Sequence, residues 1–293
     1  MASDSVIHVG RLAPTRQWDQ TLLDRLFDNT LYPTGLQFKR SEGYPNAHGC
    51  ILIIPGRYWF EHTAQISEAL ATYDWVLAMR TSDEEDLFDI QKIRHPNIRW
   101  WVQTPRVDRT YGVFTRLFGV GFPPHFNNLP ADAPVKDLDV VLSAQCTHPR
   151  REEAFQSLER VQTNSLIQPT EGFTKGLAPA AYVDAMMRAK IAPAPSGPAS
   201  PDTFRLFEAL EVHAVPIADD ISPGHGSSGY WRRLFPDAPF PIFENYEDLV
   251  PLIEDQLLDW PRSANHVAAW WIRQKRTYAH WLREDLKQLG AIQ

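Results

Sequence analysis

The residues best suited to chemistry lie in AKIAPAPSGPASPDTFRLFEALEVHAVPIAD, residues 189–219. Residues 191–194 read as a short buried strand, and 195–201 as a Pro/Ser/Gly loop that holds Ser196, Gly197 and Ser200. Asp202 reads as the N-cap of a helix with Thr203 and Phe204 in its first turn. The free N–H groups of such a turn face the loop, and together with the helix dipole they favour an anion such as a diphosphate. Helical residues advance about 100° each, so Leu206, Phe207 and Leu210 share an inner face while Arg205 and Glu208 share a polar edge. Arginine suits phosphate and a carboxylate suits ribose hydroxyls. The same spacing also fits an ordinary αβ unit in which Asp202 only caps and Arg205 and Glu208 form a solvated i,i+3 pair. Residues 214–217 then resume a buried strand.

A second set of candidates precedes this stretch. Residues 138–142 form a strand pattern, residues 143–148 a loop, and Pro149 opens a helix that runs to about residue 161. Loops at the carboxyl ends of strands in an open α/β sheet are where ligands bind, which makes Gln145, Thr147, Arg150 and Arg151 candidates for phosphate or sugar. Surface pairing of Arg150 and Arg151 with Glu152, Glu153 or Glu159 is the alternative. A loop over 168–177 and a helix over 180–190 follow. In the first half, apolar runs at 6–9, 50–54, 75–79 and 98–102 alternate with helical spacing at 18–27 and 62–73, which predicts βα units around a parallel sheet. The run RTSDEED at 80–86 follows a strand directly. Crowded carboxylates raise one another's pKa, so Asp83 and Glu84 are candidate general bases; an acidic run also suits a helix N-terminus. Glu61, His62 and His48 are competing bases. Residues 119–139, rich in Pro, Gly and Asn, read as a linker. The glycines and serines at 224–229 read as a loop that orders on substrate or simply connects. Helices are expected over 245–257 and, capped by Ser263, to residue 289, with Trp270 and Trp281 beside the apolar stripe and suited to interdomain packing.

The run FRLFEALEVHAVPIAD resembles the donor-binding segment of glycosyltransferases of the GT-B type, and most closely the exostosin-like family. The resemblance implies an α/β fold of two Rossmann-like domains facing a cleft: residues 1–130 for the acceptor, 131–262 for the nucleotide sugar, and a C-terminal helix over 263–293 crossing back. It implies that Glu208 holds the ribose, that Arg205 and the 196–200 loop flank the diphosphate, that Phe173 stacks on uracil and that Lys175 approaches phosphate. Two positions depart from the family pattern. Ser200 stands where many such enzymes carry a second acid, and His213 stands at the usual turn glycine, where the backbone must either become left-handed or avoid it. The implied activity is sugar transfer from a nucleotide diphosphate sugar, a UDP-sugar, to a hydroxyl acceptor. The co-substrate is then the only small molecule required, with no cofactor and no metal. Asp137 and Asp139 have Asp-X-Asp spacing, but at the start of a strand. Two further classes stay open. One is transfer to modified bases of phage DNA, favoured by a basic stripe of Arg57, Arg80, Arg106, Arg109 and Arg116; the other is a non-catalytic nucleotide-sugar or carbohydrate-binding module.

Composition sets the frame. The 293 residues suffice for about two domains, and 43% hydrophobic with 22% charged residues is ordinary globular chemistry. A net charge of −7 provides no general basic field for nucleic acid. Cys50 and Cys146 have no metal-ligand spacing and read as two buried thiols of a reducing cytoplasm. No signal peptide or apolar run of about 18 residues occurs, so the expectation is a cytoplasmic enzyme; since eukaryotic members of the exostosin-like family are usually membrane proteins, the resemblance then implies a bacterium or a phage-infected cell as the source.

Overall fold

Seven consecutive buried residues, Gly49–Pro55 (β3), form the middle of the first sheet. A continuous apolar run of this kind marks a parallel strand covered on both faces. The computed structural model describes residues 6–12, 17–82, 84, 90–130, 132, 134–172 and 175–293. The chain divides into one unit of residues 1–120 with 273–293 and a second of residues 121–272.

The first unit carries β1 (Val6–Arg11), α1 (Thr21–Phe27), β2 (Gln37–Glu42), β3, α2 (Gly56–Leu70), β4 (Trp75–Thr81), β5 (Ile98–Gln103) and β6 (Thr115–Phe118). Its six strands are all parallel, in the order β2-β1-β3-β4-β5-β6. Strand β2, QFKRSE, is an almost wholly exposed edge, which is why hydrophobic patterning misses it. One core cluster gathers Leu52, Ile54, Val76, Ala78 and Val102 with Trp59, Ile66 and Leu70 of α2. The last helix also contributes to this unit. Its Asp285 is 1% exposed and accepts from the indole of Trp101 at 2.8 Å, and Trp281 meets Trp101 edge-on at 6.2 Å.

The second unit carries β7 (Leu138–Gln145), α3 (Pro149–Leu158), β8 (Ser165–Thr170), α4 (Pro179–Arg188), β9 (Ala189–Ala194), α5 (Phe204–Glu211), β10 (Val215–Asp219), α6 (Tyr230–Leu234), β11 (Ile242–Phe243) and α7 (Leu249–Leu258), and α8 (Trp260–Gln288) starts there. Its parallel order, β11-β10-β9-β7-β8, is a doubly wound sheet that reverses direction between β7 and β9, the place where such sheets bind ligands. The two parallel sheets with their helices agree with the α/β, Rossmann-like class read from the sequence.

Several local expectations are corrected. Residues 119–139 are not a plain linker, because Phe122 and Phe126 are fully buried in the second unit and residues 124–126 form a 3-10 turn. The 220–237 stretch is tied at its flanks, where Asp220 accepts from the N–H groups of Gly229 at 2.6 Å and Trp231 at 2.9 Å and Tyr230 and Trp231 are buried, while Gly224, His225 and Gly226 are exposed. Helix α8 begins at Trp260, so Ser263 lies inside it. Trp270 packs on Phe235 and Phe240 within its own unit, and Trp281 within the other. Only Cys50 is buried; Cys146 is exposed. His213 takes the left-handed backbone, at φ 57°, in place of the turn glycine.

Candidate functional site

At the reversal of the second sheet, the loop after β7 and the loop after β9 are stitched together by arginine and histidine. Pro149 starts α3, its missing N–H costing nothing in the first turn. Arg151, two residues on, turns inward and is 8% exposed. Its Nε donates to the Ser196 carbonyl at 3.0 Å and its Nη1 to the Gln145 carbonyl at 3.2 Å. His148 meets the same Ser196 carbonyl at 3.1 Å. No carboxylate of the described residues forms an ion pair with Arg151. Burial, followed by the nearby charge of Arg205, lowers its pKa from 12.5 to about 10. A buried, uncompensated guanidinium is costly, and an anion in the crevice would relieve that cost. Burial, followed by Arg151, also lowers the His148 pKa, which keeps that ring neutral among the cations.

The adjacent Arg150 is held differently. Asp219, fully buried at the end of β10, takes a two-pronged bond from the Arg150 guanidinium, through Nε at 3.0 Å and through Nη2. Asp219 also accepts from Tyr246 Oη at 2.8 Å and from the N–H groups of Ser196 at 3.3 Å and Ile221 at 3.2 Å. Arg150 further donates to the Glu244 carbonyl at 3.0 Å and lies over the Tyr246 ring at 4.9 Å. Beside Arg150, a groove of about 580 Å³ opens between α3 and the 244–247 turn.

The loop 195–201 closes tightly against the start of α5. A Cβ on Gly197 would stand 2.7 Å from the Asp202 carbonyl oxygen and 3.1 Å from that of Ser200, so only glycine fits there. The N-cap is Thr203, one residue later than expected, and its hydroxyl accepts from Arg205 N–H at 3.5 Å. Asp202 instead accepts from Tyr230 Oη at 2.7 Å, and Ser200 Oγ accepts from Asp202 N–H at 3.1 Å. Arg205 and Glu208 do pair, at 2.9 and 2.7 Å, but the pair is not solvated. Glu208 is 1% exposed and also accepts from Tyr182 Oη at 2.5 Å. Burial opposes the charge of Arg205, whereas Glu208 and Tyr182 favour it, and its pKa stands above the ordinary value. As these side chains stand, both Glu208 oxygens are taken by protein donors, so a direct grip on ribose would require that pair to open.

Of the remaining candidates, Thr147 and Lys175 are exposed on their loops, and Phe204 is half-buried. Phe173 and Asp83 lie outside the described residues. Glu84 is exposed in the first unit, where its N–H donates to Ser82 Oγ at 3.3 Å. The five arginines do not form one exposed stripe: Arg80 is 1% exposed, Arg106 pairs with Asp108 at 2.5 Å and Arg116 lies 3.5 Å from Asp285. Asp137 and Asp139 pair with Arg188 and Lys190. Sequence reasoning missed Asp219, Tyr246, His148 and Tyr182. Only Asp219 left a signal, as an acid at the carboxyl end of an apolar strand.

No helix of the described residues is long and apolar enough to cross a membrane. No protein-family model matches the chain, and no curated protein matches it. Among solved structures it is similar to a crystal structure of an alpha1,3-fucosyltransferase, at 9% identity and a TM-score of 0.47 over 92% of this chain and 83% of that one.

Proposed function

We propose that the protein is a glycosyltransferase that takes a sugar from a nucleoside diphosphate sugar and passes it to a hydroxyl acceptor. The observation that carries the reading is Arg151, a buried cation with no carboxylate partner among the described residues, at the topological reversal of a doubly wound sheet. The resemblance of residues 204–219 to a donor-binding segment supports sugar transfer over other uses of a diphosphate site. In the reaction, the bond from the sugar to the diphosphate breaks and negative charge grows on the leaving phosphate. Arg151 stabilises that charge because it is oriented before the charge develops, and it takes the place of a metal. The acceptor hydroxyl passes its proton to a general base, for which Asp83 and Glu84 are the candidates read from the sequence.

Cys146, exposed between Gln145 and Thr147, provides a built-in reporter, since Cys50 is fully buried. Nucleoside diphosphates should slow alkylation of Cys146, and a panel of nucleotide sugars should show slow release of free sugar. Unchanged alkylation with every diphosphate, inorganic pyrophosphate included, would remove the reading. Protection without any turnover would leave a nucleotide-sugar-binding protein in place of an enzyme.

A further inference from the structure

The groove beside Arg150 has no role in the phosphate chemistry, yet its volume of about 580 Å³ suits a small molecule. Its lining includes Glu153 and Gln156 from α3, Arg160 just past that helix, and Glu244, Asn245 and Glu247 from the facing turn. Arg150 lines this groove and links it to the β7–β9 seam, because its guanidinium is fixed on Asp219, which also accepts from the Ser196 N–H, and on the Glu244 carbonyl. The three glutamates are exposed, and none lies in an ion pair among the described residues. We propose that this groove seats the nucleoside of the donor and selects bases that carry an exocyclic amino group.

The proposal rests on the donor reading above and adds the identity of the base. Ionised carboxylates only accept hydrogen bonds, while the Gln156 and Asn245 amides both donate and accept. Adenine, cytosine and guanine each present an amino group. Uracil presents a single N–H between two carbonyl oxygens, which face repulsion from a carboxylate wall. This preference departs from the uridine implied by the family resemblance. The three acids outnumber the exposed Arg160 and so disfavour phosphate in the groove, which orients the ligand with its base beside α3 and its diphosphate on the Arg151 side of Arg150.

Calorimetry on the intact protein with inorganic pyrophosphate, ADP, CDP, GDP and UDP tests this. At least one amino-bearing diphosphate should bind about tenfold or more tightly than UDP. The double variant Gln156→Ala, Asn245→Ala should reduce that ligand to near the affinity of pyrophosphate and leave pyrophosphate binding itself unchanged. Both positions are exposed, so the fold should be retained, as an unchanged thermal midpoint would confirm. Equal affinities for all four nucleotides, tightest binding of UDP, or a double variant without effect would each overturn the groove assignment while the anion site stands. Absence of pyrophosphate binding to the unaltered protein would overturn both.

Discussion

Replacing Arg151 with methionine separates binding from stability. In the folded protein, burial and the charge of Arg205 lower the Arg151 pKa from 12.5 to about 10. At about 1.4 kcal/mol per pH unit, the charged form bears a penalty on the order of 3 kcal/mol. The side chain is charged at neutral pH whether the chain is folded or not. The penalty is therefore fully present below pH 10 and declines only between about pH 10 and 12.5, as the folded protein releases its proton first. Against the relief stand two hydrogen bonds from the charged guanidinium, to the Ser196 and Gln145 carbonyls, at about 1.5–3 kcal/mol each. Ser196 keeps its contact with His148. The balance predicts that Arg151→Met lies between the stability of the parent protein and a loss of about 3 kcal/mol in urea denaturation at neutral pH without ligand. The same change should weaken nucleoside diphosphate binding by about 2–3 kcal/mol, or some 30- to 150-fold, the scale of a charge-assisted bond. A variant that loses more than about 3 kcal/mol of stability, or one that binds diphosphate as before, would refute the view of Arg151 as a cation waiting for an anion.

Glu208→Gln should cost about 2–3 kcal/mol in urea denaturation, because it leaves the part-buried Arg205 without its counter-charge; a loss below about 1 kcal/mol would mean the pair is not formed. Lys136 donates to the Val212 carbonyl at 2.7 Å, and burial lowers its pKa from 10.5 to about 8. Since the folded protein releases this proton before the unfolded chain does, stability should gain a contribution as pH rises from about 8 to 10.5. Lys136→Met should abolish that gain in urea midpoints compared across the window. In the first unit, Asp285→Ala should cost about 2–3 kcal/mol, the scale of bonds to a charged acceptor, by leaving the Trp101 indole unsatisfied and releasing Arg99 and Arg116. The thermal midpoint reads it out.

Much of the architecture was legible from local pattern. Strands β3, β4, β5 and β7 announce themselves as apolar runs because both of their faces are covered. The strands β2, β6 and β8 escaped notice because each lies at or near a sheet edge and carries polar or half-exposed residues. Spacing also gave the Arg205–Glu208 pair, since residues three apart on a helix always meet. Whether that pair faces water or a buried tyrosine depends on Tyr182, on a different helix.

The identity of the unpaired cation lies deeper still. Nothing in the dipeptide Arg150-Arg151 distinguishes the two, and each has glutamates nearby in sequence. The strand order decides: it brings Asp219 of β10 to Arg150 and only the carbonyl-lined seam between β7 and β9 to Arg151. Residue spacing determines which groups share an element, because helix and strand geometry are periodic. Which charges are neutralised is determined by packing between residues about seventy positions apart, and no local period reaches that far.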